Sequence, residues 1–133
     1  MEHEKSCGTI IIDWNKILLI GAKDDDEKMF WSFPKGHQED GETDVETALR
    51  ETFEEVGLNV EIIDQSPIIV SHTIRGGIAI KDIHLFLAKV KDGKIKPQVG
   101  EVEQCQWVNF NNIDDYLTDY YKEAWQEARK RKM

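Results

Sequence analysis

The sequence predicts an α/β architecture, a mixed sheet with helices packed on its faces. Three observations predict it. Short β-branched runs come first, one capped amphipathic helix follows, and further strand-like runs lead to a terminal helix. No internal repeat or low-complexity linker interrupts that order. The 133 residues fit one domain spanning 1–133.

The elements follow in turn. Within residues 7–20, Gly8-Thr-Ile-Ile-Ile and Lys16-Ile-Leu-Leu-Ile read as two strands, with Asp13-Trp-Asn as the turn between them. Asp24-Asp-Asp-Glu-Lys is a polar loop. Trp31-Ser-Phe-Pro is a strand end that runs into a loop at Pro34 and Gly36. Residues 43–56 read as a helix. Thr43 is the N-cap and Glu46 its capping-box partner. Val45, Ala48, Leu49, Thr52 and Val56 form one apolar stripe, and Gly57 stands where a left-handed cap is needed. Strands are expected over 60–63, 68–73, 83–90 and 104–110, with a turn at Asp92-Gly93. Residues 113–132 have helical periodicity through Ile113, Tyr116, Leu117, Tyr120, Tyr121, Ala124 and Ala128. Their Arg129-Lys-Arg-Lys end suits the negative pole of that helix.

Composition narrows the function. With 40% hydrophobic and 32% charged residues, this is an ordinary globular chain. Its apolar runs are too short to span a bilayer. No basic start followed by an apolar stretch marks a secretory signal, so a cytoplasmic protein is expected. The two cysteines, Cys7 and Cys105, are read as reduced structural thiols. Net charge −9, from 17 basic and 26 acidic residues, argues against a partner such as duplex DNA. A monomer or homodimer fits equally well.

The acid is concentrated. Glu39, Asp40, Glu42, Asp44, Glu46, Glu51, Glu54 and Glu55 face a single basic residue, Arg50, between Gly36 and Glu55. Glu51, Glu54 and Glu55 fall on one flank of the 43–56 helix, three and four residues apart. Such neighbours repel unless a positive charge sits between them. A hard divalent cation, Mg²⁺ or Mn²⁺, would meet that need. A helix laced by surface salt bridges would have a similar composition. An EF-hand would not, because Asp24-Asp-Asp lacks its spacing.

The wider spacing decides between these readings. From Gly36 the chain reads Gly, five residues, Glu42, seven residues, then Arg50-Glu51-Thr52-Phe53-Glu54-Glu55-Val56-Gly57-Leu58. This resembles the Nudix box, Gly-x5-Glu-x7-Arg-Glu-U-x-Glu-Glu-x-Gly-U, where U is a bulky aliphatic residue. Thr52 at the first U is the one departure. The resemblance implies an α/β/α sandwich and a metal-dependent pyrophosphohydrolase. It implies that Glu51, Glu54 and Glu55 are catalytic metal ligands, with the Lys35 carbonyl as a further ligand. Arg50 and Glu42 would orient them, and Gly36 and Gly57 would serve the loop turns. Family members often carry the base for the attacking water in the loop before the final strand. Glu101 is the first candidate there, as base or extra ligand, and Glu103 the second.

Trp31-Ser-Phe-Pro-Lys-Gly-His37 and Thr47-Ala-Leu-Arg-Glu-Thr52 are similar to the asymmetric diadenosine tetraphosphate hydrolases. That likeness implies a nucleotide polyphosphate substrate, with Lys35 and His37 on the phosphates and Arg75 as another contact. Members of that group stack adenine between aromatic rings. Here His84 and Phe86 on one strand, with Tyr121 or Tyr120 on the terminal helix, are the expected platform. RNA 5′ ends and damaged nucleoside triphosphates are alternative substrates. A non-catalytic nucleotide sensor would be expected to carry a broken box.

Overall fold

The computed structural model describes residues 2–132. In chain order they form β1 (Glu2–Asp13), β2 (Lys16–Lys23), β3 (Met29–Ser32), β4 (Lys35–His37), α1 (Asp44–Val56), β5 (Leu58–Ile62), β6 (Ile68–Ile74), β7 (Ala79–Gly93), β8 (Gln104–Asn109) and α2 (Asp119–Lys132). Short 3₁₀ turns occupy Arg75–Gly77 and Phe110–Asp115. The sheet is mixed. β1 runs parallel to β7 from Glu2↔Ala79 to Ile11↔Ala88, while the other pairings are antiparallel.

β1 is apolar on both faces because both are covered. Ile10 and Ile12 join Ile83, Leu85 and Leu87 of β7 and Val70 of β6 beneath Tyr121, Ala124 and Trp125 of α2. On the other face, Cys7 and Phe86 pack against Ala48 of α1, and Ile11 and Ala88 against Val56. The helices therefore lie on opposite sides of the sheet, as in an α/β/α sandwich. The capping box at Thr43 forms as expected. Thr43 Oγ1 accepts from the Glu46 N–H at 3.1 Å, and Glu46 Oε1 accepts from the Thr43 N–H at 2.8 Å. Gly57 ends α1 in the left-handed region at φ 80°.

Thr52, the residue that departs from the aliphatic pattern, has a partner. Its buried hydroxyl lies 2.7 Å from Thr9 Oγ1 on β1. A buried hydroxyl without a partner would be costly, so the pair explains how the core accepts Thr52.

The split between β1 and β2 positions the site. They pair only at Ile12↔Ile17 and Asp13↔Lys16. Beyond that β2 joins β3 and β8, and β4 takes the free edge of β1 through Ser6↔His37, Cys7↔Gly36 and Gly8↔Lys35. A Cβ added at Gly8 would sit 1.9 Å from the Pro34 carbonyl oxygen. Gly8→Ala is therefore expected to push β4 outward, cost about 2–3 kcal/mol, and lower both melting temperature and activity. A Gly8→Ala protein that melts with the wild type would show that this close approach is not required.

Three local expectations are corrected. Lys35–His37, read as loop, is a short strand on the edge of β1. The turn expected at Asp92-Gly93 does not form, because β7 continues past a bulge to pair Asn59↔Asp92 and Leu58↔Gly93. The terminal helix begins at Asp119 rather than 113. Phe110–Asp115 is a 3₁₀ turn, and Leu117 pairs with Trp31 of β3 as an isolated bridge before α2 begins. Among the described residues no helix is long and apolar enough to cross a membrane.

Candidate functional site

The site is built where β4 meets the last two turns of α1. Arg50 is its centre. Its Nε and Nη2 donate to Glu42 at 2.6 and 3.0 Å, and Nη2 also donates to the His37 carbonyl at 2.9 Å. Nη1 donates to Glu51 at 2.8 Å and to both oxygens of Glu54 at 3.2 Å. Glu42 also accepts from the Glu39 N–H at 2.9 Å and the Thr47 hydroxyl at 3.0 Å. The Arg50 bonds, with that backbone donor, hold its carboxyl at about 2. The carboxylates in turn push the Arg50 guanidinium still further up.

Glu55 is handled differently. Its Oε1 accepts the Lys35 backbone N–H at 2.7 Å. Burial pushes its carboxyl up to about 7, with Glu51 and Glu101 adding to the rise. Burial drives the Lys35 ammonium down to about 8 against the pull of Glu55 and Glu51. Gly36 lets the β4 backbone abut the helix, since a Cβ there would lie 2.0 Å from Glu51 Cδ.

Glu51, Glu54, Glu55 and Glu101 face one pocket of about 430 Å³, together with Lys35, Gly36 and His37. The charge balance differs from the expectation in one respect. Arg50 sits between Glu51 and Glu54 and supplies a counter-charge to both. Among the described residues no three acidic, histidine or cysteine side chains are drawn together tightly enough to grip a metal. The donor chemistry nonetheless fits a hard divalent cation. It is all oxygen and partly buried, and Arg50 makes no contact with Glu55, which is left with the Lys35 N–H and the Lys35 charge as its compensation.

Several candidate residues lie elsewhere. Phe86 is 2% exposed, packed with Cys7 and Ala48 beneath α1, so it has no open face to stack a base. His84 shares that side of the sheet, 3.7 Å from Asp44, because its parity on β7 is opposite to that of the pocket-lining Lys81. Tyr121 is 1% exposed, edge-on to Phe33 at 5.6 Å, and its phenol is pushed up by burial. It belongs to the core, although Lys35 Nζ lies 5.7 Å above its ring. Arg75 is bound to Glu4 and lies outside the pocket. Glu103 also lies outside, its N–H donating to the Gly21 carbonyl at 2.8 Å. Both cysteines are free, and burial pushes each thiol up to about 11, as inert structural thiols require.

The structure adds residues that the sequence reading missed. Lys81 and Ser6 line the pocket. His72, the cross-strand partner of Lys81, stacks on Tyr120 with centroids 4.1 Å apart and planes 9° apart. Burial lowers the pKa of His72, and the nearby positive charges of Lys81 and Lys35 lower it a little further. The signal for these residues was strand parity. His72 and Lys81 lie on the α2 face, whereas His84 lies on the other.

The comparisons agree with this geometry. The NUDIX domain profile matches residues 2–130. Mycobacterium tuberculosis MutT4 is 31% identical over 123 residues, covering 86% of this chain but 50% of its own length. An RNA pyrophosphohydrolase of Pelagibacter ubique is 23% identical, over 93% of this chain and 87% of its own. The asymmetrical bis(5′-nucleosyl)-tetraphosphatase of Rattus norvegicus is 31% identical, over 80% of each chain. Among solved structures, a NUDIX hydrolase from Nitrosomonas europaea superposes with TM-score 0.83 at 16% identity, over 97% of this chain and 90% of that one. An Ap4A hydrolase from C. elegans superposes with TM-score 0.76 at 22% identity, over 98% and 99%.

Proposed function

The chain belongs to the Nudix hydrolase family, and from that premise we propose that it splits a dinucleoside polyphosphate, diadenosine tetraphosphate above all, into ATP and AMP. The observation that carries this reading is the juxtaposition of two chemistries. An acidic, lysine-edged pocket suits a metal-bound phosphate chain, and the His72–Tyr120 stack lies beside its lysines. The rat tetraphosphatase similarity supports the same substrate class.

Glu51, Glu54 and Glu55, with the Lys35 carbonyl as a further ligand, would hold Mg²⁺ or Mn²⁺, and Glu101 is read as the base rather than as an extra ligand. When bound, such an ion neutralises phosphate charge and makes its water more acidic. The chain's own residues do the rest. Lys35 and Lys81 place positive charge against the phosphates, and His37 offers a donor at the exposed rim. Glu101 takes the proton of the attacking water. Arg50 positions Glu51 and Glu54 through one nitrogen, and Glu42 fixes Arg50. The adenine stacks against the His72–Tyr120 pair, which replaces the platform expected from His84 and Phe86.

A second reading is removal of pyrophosphate from RNA 5′ ends, supported by the Pelagibacter similarity. A nucleotide sensor without turnover is disfavoured by the intact carboxylate set. Product analysis with Mg²⁺ tests the choice. Diadenosine tetraphosphate, 5′-triphosphorylated RNA and nucleoside triphosphates are offered in turn. ATP plus AMP from the first, at the highest kcat/KM, is expected. Pyrophosphate released from RNA at higher efficiency would replace this reading with the second. Binding without turnover would leave only the sensor.

A further inference from the structure

A second, apolar hollow of about 290 Å³ lies against the acidic pocket. Glu54 and Gln98 line both, so the two share a wall. The floor and edges of the hollow are Phe53, Pro97 and Val99, with Lys96 at the side. Phe53 is 51% exposed and Val99 93% exposed, although both stand beside the most charged part of the molecule.

This apolar surface is held in place. The Lys96 N–H donates to the Val56 carbonyl at 2.8 Å, and the Gln98 N–H to the Glu55 carbonyl at 3.0 Å. Segment 96–98 thereby satisfies carbonyls that the end of α1 would otherwise leave open. The Gln98 carbonyl accepts from Glu101 at 3.2 Å and Val102 at 2.9 Å, and Val102 is buried. The turn that carries Glu101 thus presents Val99 at its tip, next to Phe53. A concave, mostly apolar hollow that opens onto a polar pocket can bury the faces of a flat ligand.

We infer that the Phe53–Pro97–Val99 hollow binds the heterocyclic base of the second nucleoside of the substrate. The inference rests on the dinucleoside polyphosphate reading above. A polyphosphate seated over Glu51, Glu54 and Glu55 has two ends. The His72–Tyr120 stack lies by Lys81 and Lys35, whereas the apolar hollow lies past Glu54 and Gln98. A flat base at each end would be recognised by stacking, which tolerates any base identity. Lys96 adds a cation for the phosphate that joins the second nucleoside. This hollow is the feature that would separate a substrate with two nucleosides from one with a single nucleoside and the same phosphate chain.

The test uses the full chain with Mg²⁺ and two substrates, diadenosine tetraphosphate and adenosine 5′-tetraphosphate. The wild type is compared with Phe53→Ala, Phe53→Tyr and Val99→Ser. Phe53→Ala is expected to lower the ratio of kcat/KM for the dinucleotide to that for the mononucleotide about tenfold, the size of one lost stacking contact. The loss should enter through KM rather than kcat. Phe53→Tyr should restore the ratio, and Val99→Ser, on an exposed loop tip that cannot unfold the core, should lower it in the same direction. A wild type that cleaves diadenosine tetraphosphate, with a ratio unmoved in both Phe53→Ala and Val99→Ser, would overturn the hollow alone. A wild type that leaves diadenosine tetraphosphate intact would overturn the substrate reading and the hollow with it.

Discussion

Glu55→Gln is expected to lower kcat by about 10³-fold or more while leaving the protein, in EDTA at pH 8, at least as heat-stable as the wild type. The two halves of this result have one cause. The Glu55 carboxyl is buried, and burial raises it to about 7. The folded state therefore holds that proton more tightly than the unfolded chain does. Its contribution to stability is present at low pH, falls as pH rises above the usual carboxylate value, and is a net cost by pH 8. Glutamine keeps the shape and an oxygen for the Lys35 N–H but carries no charge to bury. On the proposed function, that charge is what meets the cations and phosphates when they arrive, which would offset the cost. Adding Mg²⁺ should accordingly raise the wild-type melting temperature more than that of the variant. The measurement is a thermal melt with and without Mg²⁺ beside a turnover assay. A Glu55→Gln enzyme of near-normal rate would remove Glu55 from the reaction. A variant that melts far below wild type in EDTA would make Glu55 a structural residue instead.

How much of this was legible in the sequence depended on the range of the interaction. The capping box at Thr43, the left-handed Gly57 and the burial of Ala48 and Val56 follow from local spacing, and all are present. The acidic cluster was legible too, because Glu51, Glu54 and Glu55 lie within one helical turn and a short step. The reach of its counter-charge was legible only through the resemblance. The resemblance implied that Arg50 orients these carboxylates, but spacing alone does not show that one guanidinium reaches Glu54, Glu51 and Glu42 together. The aromatic platform failed for a different reason. His84 and Phe86 share a face, but which face looks onto the pocket is set by the parallel pairing of β1 with β7, a contact between segments more than seventy residues apart. A one-residue change of parity moves the candidate from His84 to Lys81 and its partner His72. Likewise Phe53 is the unspecified residue of the box. Only the fold of segment 96–99 over the helix end shows what stands beside it.

Arg50→Lys is expected to be nearly as damaging as outright removal of the side chain, which is the second large effect. The wild-type guanidinium makes hydrogen bonds to Glu42, Glu51, Glu54 and the His37 carbonyl at once. An ammonium is a point donor on a flexible stem and cannot reproduce that planar fork. With the charge retained but the geometry lost, stability should fall by about 2 kcal/mol. Turnover should fall about 10- to 100-fold, because Glu51 and Glu54 are no longer held. Acid unfolding supplies an independent signature. The Glu42 carboxyl is held at about 2, below its ordinary 4.5, chiefly by Arg50. Its contribution is therefore full above about pH 4.5 and is lost as pH falls through about 2. In the Arg50→Lys protein the Glu42 carboxyl should return towards its ordinary value, and acid unfolding should begin at higher pH. Melting curves between pH 2 and 7, run beside a metal titration of activity, separate the two roles. If Mg²⁺ at high concentration restored full kcat to Arg50→Lys without restoring its melting temperature, Arg50 would serve the fold and the metal's affinity rather than the chemical step. A variant with wild-type melting, acid transition and rate would remove the guanidinium from the site's organisation altogether, and the carboxylates would have to be held by β4 alone.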